Sequence, residues 1–172
     1  WVKPKASLDD LGLIQYTSGS TGSPKGVMLS HRNLIANCRM ITRAFQTGRK
    51  GSICSWLPLY HDMGLVGGIL NPMYCGTEDN LMSPVAFLTR PIRWLRAISK
   101  YKSIASGGPN FAYAWCTMKI NEEDCEGLDL SNWKVAFNGA EPVSAAVMER
   151  FTEKFAPPGI SPEAFNPCYG MP

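Results

Sequence analysis

Apolar and polar positions along this chain switch repeatedly between a strand-like and a helix-like rhythm. Leu11, Leu13 and Ile14 form a short apolar run that reads as a strand ending near Thr17. Behind Ser30 as N-cap, Leu34, Ile35, Cys38, Ile41, Thr42 and Phe45 recur at helical spacing, with Gly48 as the expected stop. Residues 51–59 read as a buried strand around Ile53, Trp56 and Leu57, broken by Pro58; Val66 to Asn71 reads as a small-residue helix that Pro72 interrupts. Leu81 to Ser83 is a short strand candidate. Pro91 then opens a helix with Trp94, Leu95, Ile98 and Tyr101 on one face. Strands are expected over 103–106, 134–138 and 164–169. Ser144 caps a helix carrying Val147, Met148, Phe151 and Phe155, stopped by Pro157-Pro158-Gly159. This alternation predicts an α/β fold, a largely parallel sheet flanked by helices, with chemistry at the C-terminal ends of its strands.

Composition narrows the class. With 45% hydrophobic and 18% charged residues, the 172-residue chain has the make-up of a globular domain. A net charge of +3 without a basic run argues against a nucleic-acid partner. No stretch approaches a transmembrane span, and no signal peptide is visible. The six cysteines include no C-x-x-C pair, so free thiols in a reducing, cytoplasmic setting are expected and no metal site is read. Trp1 and Pro172 read as cut ends of a longer protein.

The stretch from Tyr16 to Val27, YTSGSTGSPKGV, packs three glycines, five serine or threonine residues and Lys25 into twelve positions. Glycines allow backbone amides to approach an anion, hydroxyls add donors, and a lysine supplies a mobile charge. That is the make-up of a polyphosphate cradle, with a flexible Ser/Gly linker as the alternative. It is not a Walker A loop, because Pro24 precedes Lys25 and Gly26 follows it. A helix is expected to follow the loop, its dipole able to reach the anion only if the chain folds back. His61-Asp62 is either a structural turn or a catalytic pair. Gly64, Gly67 and Gly68 suit either the close approach of an acyl chain or tight helix packing, and Gly107-Gly108 a turn or a ligand contact. Arg90, Arg93 and Arg96 read as a solvated face.

The loop string resembles the phosphate-loop signature of the adenylate-forming superfamily. WLPLYHDMGL (56–65), MSP (82–84), GGPNFAY (107–113), LDLS (128–131), AFNGAEPV (136–143) and PCYG (167–170) look most like its fatty acyl-AMP ligases. The resemblance implies that residues 1–172 are the central part of the large N-terminal domain of an AMP-forming ligase, incomplete at both ends. The activity it implies is ATP- and Mg²⁺-dependent activation of a long-chain fatty acid, with transfer to an acyl carrier protein. By the same resemblance, Thr17, Ser18, Gly19, Ser20, Thr21, Gly22 and Lys25 would hold the nucleotide phosphates. Gly139, Ala140 and Glu141 would border the adenine, with Tyr169 and Gly170 against its ring. His61 would sit between the acyl carboxylate and the α-phosphate, making it and Lys25 the catalytic pair. Met63, Gly64, Gly67, Gly68, Ile69, Gly108, Phe111 and Ala112 would line the acyl tunnel. The superfamily's Mg²⁺-binding acid and its catalytic C-terminal lysine would lie beyond Pro172. An acyl-CoA ligase, an amino-acid adenylation domain and an inert nucleotide-binding piece stay open as alternatives.

Overall fold

A computed structural model of the chain describes residues 2, 4–17, 22–48 and 51–170. It opens with an antiparallel hairpin, β1 (Leu11–Tyr16) and β2 (Gly26–Ser30), followed by α1 (His31–Ala44). Then come β3 (Ser52–Ser55), α2 (Asp62–Leu65), a π turn (Val66–Leu70), α3 (Asn71–Cys75), β4 (Glu78–Leu81), α4 (Pro84–Thr89) and α5 (Ile92–Tyr101). The remainder is β5 (Ser103–Gly108), α6 (Asn110–Lys119), β6 (Val135–Asn138), α7 (Ala145–Phe155) and β7 (Phe165–Pro167).

The expected parallel sheet is present: five strands in the order β4-β3-β5-β6-β7, every neighbouring pair parallel. Alternating residues divide its faces. Cys54 and Ala136 point into a large core with Trp94, Leu95 and Ile98 of α5, Ala112, Tyr113 and Cys116 of α6, and Val147, Phe151 and Phe155 of α7. Trp94, Tyr113 and Trp133 are fully enclosed there, each contributing roughly 1.5–3 kcal/mol by burial. Their polar atoms are satisfied as well: Trp94 Nε1 donates to Ser106 Oγ at 2.7 Å, and Tyr113 Oη to the Phe137 carbonyl at 2.7 Å. Ile53, Ala105 and Val135 face the other way, towards Phe45. Trp56, read in the sequence as part of a buried strand, is buried and stacks on Phe87 at 4.0 Å.

Several local expectations change. The loop around Lys25 joins two antiparallel strands, not a strand and a helix. Tyr16 pairs with Gly26 at the loop end and Leu11 with Ser30 at the far end, so the N-terminus of α1 lies a strand length, about 15 Å, from the loop. The helix dipole therefore does not serve it. Ser30 does cap α1, in a reciprocal box with Asn33. The helix ends before Gly48, with Gln46 in the left-handed region at φ 51°. Pro72 does not interrupt the helical run. The π turn ahead of it sends the Asn71 amide to the Val66 carbonyl, and the wider turn accommodates a proline that cannot donate. Gly76, at φ 66°, is the actual stop.

Candidate active site

Because the five strands run parallel, their C-terminal ends share one edge of the sheet. The chain passes from β3 outward to β4, returns past β3 to β5, and continues through β6 to β7. The strand order thus reverses between β3 and β5, and parallel α/β sheets bind ligands outside the C-terminal strand ends at such a point.

Beyond β3, Pro58 turns the chain and its carbonyl accepts the His61 amide at 3.1 Å. His61 is the N-cap of α2. Its Nδ1 lies 2.7 Å from Asp62 Oδ1, which also accepts the Met63 amide at 2.8 Å. Met63 N is 3.2 Å from Nδ1 as well, a longer contact that only an unprotonated Nδ1 could accept. The shorter pair favours Nδ1–H donating to Asp62, which leaves Nε2 as the free nitrogen on a half-exposed ring.

The neighbouring glycines divide by use. Gly64 packs on the Pro58 carbonyl and Gly68 on Ser55 Oγ, whereas nothing lies within 4 Å of where a Cβ on Gly67 would sit. Tight packing explains two of them, and one leaves room. Met63 and Ile69 are half-buried.

Gly107 and Gly108 belong to β5 itself, not to a turn. A Cβ on Gly108 would stand 2.6 Å from Trp56 Cζ2, and one on Gly107 would overlap Phe137. Phe111 presents its ring edge-on to Trp56 at 6.1 Å and is 42% exposed, while Ala112 beneath it is fully buried in the core.

At the end of β6, Gly139 packs against Cys168, and Ala140 takes φ 68°. Glu141 Oε1 accepts the Phe111 amide at 2.6 Å, and Asn110 Oδ1 accepts the Ser144 amide at 3.0 Å. Asn138 Nδ2 lies 3.4 Å from Asn110 Oδ1; its own Oδ1 is buried without a partner among the described residues. The Cys168 amide donates to the Asn138 carbonyl at 2.8 Å, tying in β7, after which Tyr169 stands 88% exposed beside Gly170. Burial pushes the Cys168 thiol up, so it is held protonated.

The hairpin loop is closed at its base by two bonds. Thr17 N donates to the Lys25 carbonyl at 2.9 Å, and Lys25 N to Thr17 Oγ1 at 3.1 Å. Gly22 and Lys25 are exposed; Ser18, Gly19, Ser20 and Thr21 lie outside the described residues. Among the described residues no three His, Cys, Asp or Glu side chains group as metal ligands.

His61, Gly108, Phe111, Gly139, Ala140, Glu141 and Tyr169 thus come together on one sheet edge, while Thr17, Gly22 and Lys25 sit on a separate hairpin. Asp62, weighed in the sequence with His61 as a turn or a catalytic pair, joins Asn110, Asn138 and Ser144 in the sheet-edge polar network, and the last three were not among the expected site residues. The one signal for them was polar residues standing where apolar strands end, as at Asn138. Arg90 and Arg96, expected on a solvated face, flank Asp124 at 3.7 and 3.8 Å on the exterior.

A family model described as "AMP-binding enzyme" matches residues 2–171. A medium-chain-fatty-acid–[acyl-carrier-protein] ligase of Teredinibacter turnerae is 50% identical over 171 residues, which is 99% of this chain and 27% of that protein. A ligase of the same description from Moorena producens is 47% identical, over 99% of this chain and 29% of its own. The crystal structure of a fatty acyl-adenylate ligase from L. pneumophila, in complex with acyl adenylate and pyrophosphate, is 51% identical with a TM-score of 0.94. It covers 99% of this chain and 30% of that one. The chain therefore spans less than a third of the length of the relatives it matches.

Proposed function

The chain belongs to the AMP-binding enzyme family, and from that premise we propose that the whole protein activates a fatty acid as its acyl-adenylate and passes it to an acyl carrier protein. Residues 1–172 are the central part of its large N-terminal domain. The observation that carries this reading is the convergence of His61, Phe111, Gly139 to Glu141 and Tyr169 on the edge where the strand order reverses.

In the proposed reaction a carboxylate oxygen attacks the α-phosphorus of ATP, a bond from acyl oxygen to phosphorus forms, and pyrophosphate departs. In-line displacement needs placement and charge neutralisation more than covalent help. With Nδ1–H held by Asp62, Nε2 is the His61 atom left for substrate, and a proton there would donate to a carboxylate or α-phosphate oxygen. Lys25 and the loop amides would take up charge on the leaving pyrophosphate. Tyr169, with its ring exposed, would stack on adenine beside Gly139, Ala140 and Gly170. The open space at Gly67, with Met63, Ile69 and Phe111, suits an apolar acyl chain. Mg²⁺ would enter with the nucleotide phosphates; the described residues offer no cluster to hold it.

The sequence phrases pointed to long-chain acids. The names of the two curated relatives move the proposed length to medium chains, and they support a carrier protein as acceptor. ATP–pyrophosphate exchange by the full-length protein, with acids from hexanoate to palmitate, tests the reading. Exchange is expected to peak at medium chains. Exchange that responds to amino acids and to no fatty acid would replace it with an amino-acid adenylation domain.

A further inference from the structure

Resting on that reading, we infer that Glu141 is a positioning residue of the acyl site, one that fastens the first turn of α6 and does not hold the nucleotide with its carboxylate. A helix start leaves backbone amides without intrahelical partners. Pro109, the N-cap of α6, offers no side chain to take them. The Glu141 carboxylate arrives from thirty residues away and accepts the Phe111 amide at 2.6 Å, with its negative charge at the positive end of the helix.

The bond has company. Asn110 Oδ1 accepts the Ser144 amide at 3.0 Å and faces Asn138 Nδ2 at 3.4 Å, so the segment after β5 is clasped at three points to the end of β6 and the segment that follows it. At the other end of α6, Lys154 of α7 donates to the Thr117 carbonyl at 2.7 Å and to that of Ile120. Both ends of α6 are thus tied to the α7 unit, and only the clasped end carries Phe111, whose ring meets Trp56. The wall for the acyl chain is set by the same turn, Gly139 to Glu141, that would border the adenine. Releasing Glu141 frees Phe111 while leaving the backbone of that turn, and its nucleotide contacts, in place.

The test uses the full-length protein with Glu141→Ala and Glu141→Gln. A glutamine oxygen can still accept the Phe111 amide, but the charge is gone. Glu141→Ala is expected to raise the KM for the fatty acid about tenfold in ATP–pyrophosphate exchange, with the KM for ATP held within about twofold. Amide hydrogen exchange at Phe111 is expected to speed up in that variant, and Glu141→Gln to restore both readouts. If Glu141→Ala does not fold, Glu141→Asp, one methylene short, must move both readouts in the same direction. A raised KM for ATP in both the alanine and glutamine variants would assign the carboxylate to the nucleotide and overturn the proposal. Wild-type amide exchange in Glu141→Ala would overturn it too. Absence of fatty-acid-dependent exchange in the wild type would overturn the function proposed above, while the amide readout would still decide the clasp.

Discussion

Gly64 sits directly against the carbonyl oxygen of Pro58, in the place any Cβ would need, and that oxygen also accepts the His61 amide at 3.1 Å. The turn that presents His61 and the helix that follows are therefore one packed unit. Gly64→Ala is expected to lower the unfolding free energy by about 2–3 kcal/mol, because backbone cannot yield as a side-chain tip does. Gly67→Ala meets open space and should change stability by no more than about 0.5 kcal/mol, with helix propensity in its favour. Urea denaturation of both variants checks this. Equal losses would show that the Pro58 contact is not the governing one.

Asp79 on the edge strand β4 is half-buried, and its Oδ1 has no partner among the described residues. Burial raises its pKa from 3.8 to about 6, against a smaller opposing pull from the Asn80 amide. Between those values the folded chain keeps a proton that the unfolded chain has lost, so stability falls as pH rises through the window. Allowing for partial exposure, the loss between pH 4 and pH 7 should be about 1 kcal/mol. Asp79→Asn should flatten that slope in denaturation at several pH values. An unchanged slope would place the titration elsewhere.

How much of this was legible in the sequence depended on whether a residue's partners were near it. The helix carrying Trp94, Leu95 and Ile98 and the one carrying Val147, Phe151 and Phe155 were read because each buries a single stripe against the sheet. By contrast α6 escaped notice: Phe111 to Cys116 are apolar on nearly every side, so no helical stripe stands out. The strand Gly26–Ser30 was hidden behind the more conspicuous helix signal that begins at Ser30. The site divided in the same way. Residue types and their places at strand ends were readable, and resemblance supplied their roles. The bond from Glu141 to Phe111 spans thirty positions and left no local pattern. Gly107-Gly108 was read as a turn or a ligand contact, and the place of Trp56 where a Cβ on Gly108 would sit left no local pattern either.

Lys25 is exposed at the base of the hairpin loop, its backbone tied to Thr17. In the full-length protein, Lys25→Ala is expected to slow fatty-acid-dependent pyrophosphate release about ten- to a hundredfold, the value of one charge-assisted contact. The effect should fall mainly on kcat, since charge on the departing pyrophosphate grows in the transition state. Release at the wild-type rate would make Lys25 an ordinary surface charge.

The choice of acceptor is the remaining test, and it separates two chemistries that share a first half. Acyl-carrier and CoA ligases both make the adenylate, so neither the hairpin loop nor the residues around His61 can tell them apart. Both acceptors offer a thiol to the same acyl carbonyl, and what differs is which of them can reach it. The sequence phrases around His61, Gly108, Asn138 and Tyr169 resemble the acyl-AMP ligases. Full-length protein given ATP, Mg²⁺, a labelled medium-chain acid and free CoA is therefore expected to accumulate acyl-AMP, with acyl-CoA forming far more slowly than pyrophosphate. Adding a carrier protein should move the label onto it. Acyl-CoA formed as fast as pyrophosphate would place the protein among the CoA ligases while leaving the adenylation step, and the roles proposed for Lys25 and His61, unchanged.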